Sequence, residues 1–137
     1  VYLIEKNARY LRPEDFEELP EIVVMDVSFI SLLRLLPAVK TYLSGGWTLA
    51  LIKPQFEAGR DRIGKKGIIR DPDVHEEVLY EVIQGAAEIG FALKGILKSS
   101  TPGQKGNREF FAFWIRSEED WNDRRIRTMI KEAVRNE

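Results

Sequence analysis

The sequence predicts an α/β fold with a mostly parallel sheet and an antiparallel last strand, and three observations carry that reading. Apolar runs at residues 21–26, 47–52, 91–97 and 109–115 read as strands. Runs without clean alternation belong to sheets covered on both faces, which are mainly parallel. Stretches of helical period separate the first three, whereas only a short polar connection joins the last two and favours an antiparallel pair there.

The elements follow in order. Residues 1–4 read as a short first strand, and an acidic connector with a helical turn around Pro13 comes next. Residues 21–26 form a buried strand rich in β-branched side chains and ending in Asp26. Ser28 is the expected N-cap of a helical stretch over residues 29–43, in which Pro37 either kinks the helix or starts a second one. Residues 47–52 form the central strand and end at Lys53-Pro54. Asp71-Pro72 opens a helix that Gly90 stops. After the last strand, residues 118–137 read as an amphipathic basic helix with Trp121, Ile126, Met129, Ile130 and Val134 on its apolar side, closing the sheet.

Composition narrows the function classes. A chain of 137 residues is one domain's worth, and 21 basic against 22 acidic residues name no partner through net charge. No cysteine is present, which removes disulfides, thiolate metal sites and cysteine nucleophiles and fits a reducing compartment. No segment reads as a signal peptide or membrane span, so a cytoplasmic protein with no membrane partner is expected. Charge is uneven locally: in the glycine-bearing loop 59–70, Arg60, Arg62, Lys65, Lys66 and Arg70 stand against Asp61 alone. The glycines predict a mobile loop, and its charge suits RNA phosphates. Residues 99–107, with Lys105, look either like a phosphate cradle or like a long turn.

Asp26, Lys53 and Glu109 stand out because each is a single charge at the end of an apolar run. Ligands of open α/β sheets bind at the carboxyl ends of the strands, and an antiparallel last strand brings its beginning to that same edge. The three then converge as acid, amine and acid on an apolar floor, an arrangement suited to proton transfer or positioning rather than metal capture. His75, near Asp71 and Asp73, is expected as a surface histidine rather than a metal ligand, and no metal is expected.

These residues also carry a resemblance. Met25-Asp26-Val-Ser-Phe-Ile30, Leu51-Ile-Lys53-Pro-Gln-Phe-Glu-Ala-Gly59, Gly67-Ile-Ile-Arg70-Asp71-Pro72 with His75, and Gly103-Gln-Lys-Gly-Asn107-Arg-Glu109-Phe resemble the FtsJ-like RNA 2′-O-ribose methyltransferases, and within them the TlyA or hemolysin A group. The resemblance implies a Rossmann-like S-adenosylmethionine-dependent methyltransferase fold with strand order 3-2-1-4-5-7-6. It also implies a Lys-Asp-Lys-Glu tetrad of which Asp26, Lys53 and Glu109 are the last three members. It places Asn7 and Asp26 beside the cofactor; the local charge, rather than the resemblance, makes Arg60, Arg62, Lys65, Lys66, Arg70 and Lys105 the expected RNA contacts. The first lysine, the glycine-rich cofactor loop, the family's first two strands and its S4-like RNA-binding domain have no counterpart in these residues. Residues 1–137 are therefore expected to be the carboxyl-terminal portion of one FtsJ-like domain, with residues 1–20 as displaced strand and connector. Such a portion would bind cofactor weakly and be inactive alone, and its exposed sheet edge would favour a homodimer. The implied activity is 2′-O-methylation of cytidine in ribosomal RNA or ribosomal subunits. Two other readings stand beside it: a noncatalytic RNA- or ribosome-binding module, and a membrane-active hemolysin.

Overall fold

The computed structural model describes residues 1–136. Its centre is a mixed sheet of four strands, β1 (Ile22–Met25), β2 (Trp47–Ile52), β3 (Phe91–Lys98) and β4 (Phe110–Arg116), in the spatial order β1-β2-β4-β3. β1 and β2 are parallel, and β4 runs antiparallel to both β2 and β3. Three strands therefore point one way and the last opposes them, as expected. The order also matches the 4-5-7-6 half of the strand order that the resemblance implied.

Four helices complete the architecture: α1 (Leu36–Tyr42), α2 (Pro54–Glu57), α3 (Pro72–Ile89) and α4 (Asp123–Arg135). The α3 start follows the expected chemistry, with Pro72 in the first turn and the Asp71 side chain accepting from the Asp73 N–H. Gly90 ends the helix at φ 115°, a left-handed conformation that costs glycine little. Val78, Leu79, Val82 and Ile83 of α3 are buried, as are Ile126, Ile130 and Val134 of α4. The tail thus closes over α3 and β3, as predicted. It is helical only from Asp123; Trp121 lies ahead of the Asn122 cap and meets the Tyr80 ring edge-on. Glu137, in the expected helix, lies outside the described residues.

Several expectations are corrected. Residues 1–4 form no strand, and their apolar side chains are exposed. With no neighbouring strand to supply hydrogen bonds, strand propensity alone does not hold them. The strands are not buried on both faces. Thr48, Ala50 and Ile52 face the core beside Trp114, Ala112 and Phe110, while Trp47, Leu49 and Leu51 on the other face are only partly covered. β1 is an edge strand with Val24 68% exposed, not a buried one. The stretch 29–43 is not one helix from a Ser28 cap: Ser31 caps a 3-10 turn at Leu32–Arg34, and α1 then starts afresh with Pro37 in its first turn, the second of the two readings of that proline.

Candidate functional site

The register sets the site. Ile52, Phe110 and Lys98 lie level across β2, β4 and β3, so Lys53, Glu109 and Ser99 occupy adjacent positions one step beyond, and Ser99 N–H donates to the Glu109 carbonyl at 2.8 Å. Asp26 follows β1 on the same edge. All three predicted charges therefore stand on one rim of the sheet, and their side chains divide into two units.

The first unit is Lys53 with Asp26. Lys53 Nζ lies 2.6 Å from Asp26 Oδ1 and donates to Ser28 Oγ at 3.1 Å. The lysine side chain is 12% exposed and the aspartate 69%, so the amine is approached from the Asp26 side. Pro54 breaks β2 immediately afterwards and starts α2, which fixes where the lysine leaves the sheet.

The second unit surrounds Glu109, which is only 6% exposed. Its Oε2 accepts from Gln55 Nε2 at 2.8 Å, and among the described residues no ion pair includes it. Gly103 closes against the same carboxyl group: a Cβ at that position would lie 2.1 Å from Oε2. The sequence brought Glu109 to the correct edge but did not identify Gln55 or Gly103 as its wardens. The position of Gln55, two residues after Lys53 in a helix too short to bury a stripe of its own, was the available signal.

Two further residues shape the rim. Phe29 has φ 65°, rare for a bulky side chain, and is 81% exposed beside Ser28 while its ring meets Phe56 at 4.7 Å. Glu57 accepts from Ser31 Oγ at 2.6 Å and from Leu32 N–H at 2.9 Å, tying α2 to the turn after Phe29. Burial raises the Glu57 carboxyl above its ordinary range, with those two hydrogen bonds opposing.

The basic loop carries side-chain ties that its glycines did not announce. Asn107, buried, accepts from Ile69 N–H at 3.0 Å and donates to the carbonyls of Gly67 and Gln104, so one amide clamps the loops 59–70 and 99–108 together. Lys105 Nζ adds a bond to the Lys66 carbonyl. Arg62, expected among the RNA contacts, is engaged by Glu81 through both terminal nitrogens and by the Ala58 carbonyl. Arg60, Lys65, Lys66 and Arg70 carry no ion pair among the described residues. Asn7 caps a 3-10 turn on the exposed amino-terminal segment by accepting from Arg9 N–H, without a hydrogen bond to Asp26 or Lys53. His75 is buried rather than on the surface: Nε2 lies 3.1 Å from the Ile69 carbonyl and the ring meets Phe110 edge-on. The described residues contain no group of ligating side chains placed for a metal. Among the described residues, no helix is long and apolar enough to cross a membrane.

Comparison with known proteins gives the family. Residues 1–116 match the family model described as FtsJ-like methyltransferase. The chain is 48% identical over 112 residues to the candidate rRNA methyltransferase YqxC of Bacillus subtilis, covering 80% of this chain and 40% of that protein. It is 38% identical over 121 residues to the 16S/23S rRNA (cytidine-2'-O)-methyltransferase TlyA of Mycobacterium tuberculosis, covering 88% of this chain and 45% of TlyA. The solved structure of a candidate hemolysin from Streptococcus thermophilus superposes with a TM-score of 0.88 at 46% identity, over 95% of this chain and 47% of the other. The chain thus spans a little under half the length of these relatives. Matched over most of its residues and across the rim that carries Asp26, Lys53 and Glu109, the chain belongs to the FtsJ-like methyltransferase family.

Proposed function

We propose that this rim is the catalytic edge of an S-adenosylmethionine-dependent enzyme that methylates a ribose 2′-oxygen in ribosomal RNA, with cytidine as the target nucleoside. The observation that carries the reading is the Lys53–Asp26 pair at 2.6 Å on the carboxyl edge of the sheet, in a chain of this family. The relatives' names supply ribosomal RNA and cytidine.

The residues present suit the cofactor's charged end. Asp26 offers a largely exposed carboxylate, and an anion there accommodates a sulfonium cation. Asp26 would hold that end and Asn7 the adenine end. When bound, S-adenosylmethionine supplies an electrophilic methyl group.

The protein's own contribution is position and proton management. The ribose hydroxyl must lose its proton as its oxygen gains the methyl carbon, and Lys53 Nζ is the group proposed to take or attract that proton. Asp26 and Ser28 fix the direction of the lysine side chain, so its approach to the 2′-oxygen requires no search through rotamers. Glu109, held by Gln55, fixes the other flank of the ribose and accepts from its hydroxyls. Arg60, Lys65, Lys66, Arg70 and Lys105 would track the RNA backbone.

Alternative membrane activity finds little support in the tail helix, whose apolar side is already buried against α3 and β3. The deciding experiment is methyl incorporation from labelled S-adenosylmethionine into ribosomal RNA by the intact protein and its Lys53→Ala variant. Incorporation that vanishes in the variant while cofactor binding persists supports the assignment. Bound cofactor with no methyl transfer to RNA or ribosomal subunits would replace it with a binding role.

A further inference from the structure

We propose that the cleft between the loop 68–70 and the loop 99–108 is a phosphodiester subsite that holds the substrate RNA strand beside the reacting ribose. The proposal deepens the methyltransferase reading and rests on it for the identity of the strand.

The cleft encloses about 420 Å³ and is lined by Arg70, Arg108, Ser99 and Ser100, with His75 and the backbone around Ile69 among its remaining walls. No carboxylate lines it. Arg70, Arg108 and neighbouring Lys98 make no ion pair among the described residues, although Arg62, Arg127 and Arg135 nearby in the fold are all paired. Cations left without counter-charges around an acid-free cleft suit an oxyanion, with the Ser100 hydroxyl as a further donor; Ser99 Oγ is already spent on the Thr101 backbone. His75 adds no competing charge requirement, because burial holds its imidazole below the usual histidine range and one ring nitrogen is taken up by the Ile69 carbonyl.

The walls are fixed before any ligand arrives. Asn107, itself 3% exposed, ties Ile69 and Gly67 on one wall to Gln104 on the other. Preorganisation of this kind reduces the ordering cost of binding. Position then selects the ligand. Ser99 follows β3, Glu109 precedes β4 and Lys53 follows β2, so the cleft lies two strand spacings from the lysine, about 10 Å along the rim. A single RNA strand whose ribose meets Lys53 extends along this rim, and a phosphate within a nucleotide or two of the target falls in the cleft.

The test uses the intact protein with Arg108→Ala, Arg70→Ala and Arg108→Lys, and reads the affinity of a fluorescent single-stranded ribosomal RNA oligonucleotide across a salt series. Each alanine variant should weaken binding about five- to tenfold and lower the salt slope by about one, with Arg108→Lys recovering most of the slope. In methylation assays the change should fall on KM for RNA. Both arginines are exposed, so melting temperatures should match the parent. Unchanged affinity and slope in both alanine variants would overturn the subsite while leaving a Lys53-dependent methyltransferase intact. Cleft-dependent RNA binding without methyl transfer by the parent would keep the subsite and sink the catalytic reading instead.

Discussion

Gln55 donates its amide N–H to the buried carboxyl group of Glu109 at 2.8 Å, and this single bond joins the segment after β2 to the beginning of β4. The amide oxygen of Gln55 is itself buried without a partner among the described residues, which leaves its nitrogen as the end that is hydrogen-bonded. Gln55→Leu fills the same space and removes the donor. Loss of a hydrogen bond to a buried carboxyl group should cost about 1.5–3 kcal/mol in urea denaturation. Under the catalytic reading, kcat should also fall, while affinity for S-adenosylmethionine stays within twofold. Full activity in a folded Gln55→Leu protein would remove Glu109 from the mechanism.

Asp26→Asn separates function from stability in the opposite sense. The Lys53–Asp26 pair has one partner mostly in water, and such pairs contribute about 0–1 kcal/mol, so the melting temperature should barely move. Under the catalytic reading, methyl transfer should drop by about a hundredfold, because the lysine loses the group that aims it. A stability loss matching the activity loss would show that the pair is architectural.

Phe29 sets strain against use. A non-glycine residue in the left-handed region costs on the order of 1–2 kcal/mol, and the Phe29–Phe56 ring contact returns about 0.5–1.5 kcal/mol. Phe29→Gly should therefore be close to neutral for folding. Under the catalytic reading, an exposed ring next in the chain to Ser28, which bonds Lys53, suits stacking on a nucleobase, and its removal should weaken RNA binding by about 1–3 kcal/mol. Fluorescence titration with RNA oligonucleotides checks the second figure, and thermal melting checks the first.

One buried and one half-buried group give pH dependence of opposite sign. Burial lowers the His75 pKa from its ordinary 6.5, with the Ile69 hydrogen bond and Asp71 opposing and Arg108 and Lys98 reinforcing. The unfolded chain binds that proton more readily. The His75 contribution is therefore complete above about pH 6.5 and is lost as pH falls toward the folded value. Glu57, raised by burial, contributes below its unfolded range and loses that contribution as pH rises through its folded value. Urea denaturation between about pH 5 and 8 should show a flatter slope for His75→Leu than for the parent, the difference not exceeding about 1.4 kcal/mol per pH unit. Identical slopes would place the His75 proton outside the folding equilibrium.

The rim was legible in the sequence because Lys53 and Asp26 each interrupt an apolar run at its carboxyl end, and Glu109 interrupts one at its beginning. Strand direction then turned three positions in the chain into one edge. Burial was less legible: the composition of residues 47–52 records that both faces are apolar, but which face meets α3 depends on packing between distant segments. Residues 29–43 misled because helical period persists through Phe29, whose positive φ no propensity scale favours. Asn107 and Gln55 escaped notice for a related reason. Their partners, at Ile69 and Glu109, lie 38 and 54 positions away.

The Asn107 clamp makes two loops into a single cooperative unit. Its carboxamide serves three backbone groups contributed by separate turns, so neither loop can open without releasing the other. In hydrogen exchange, the Ile69 amide should share the protection of the β4 core rather than that of its glycine-rich neighbours. Chain motion near the rim should consequently report as one concerted opening, with a single rate for both loops.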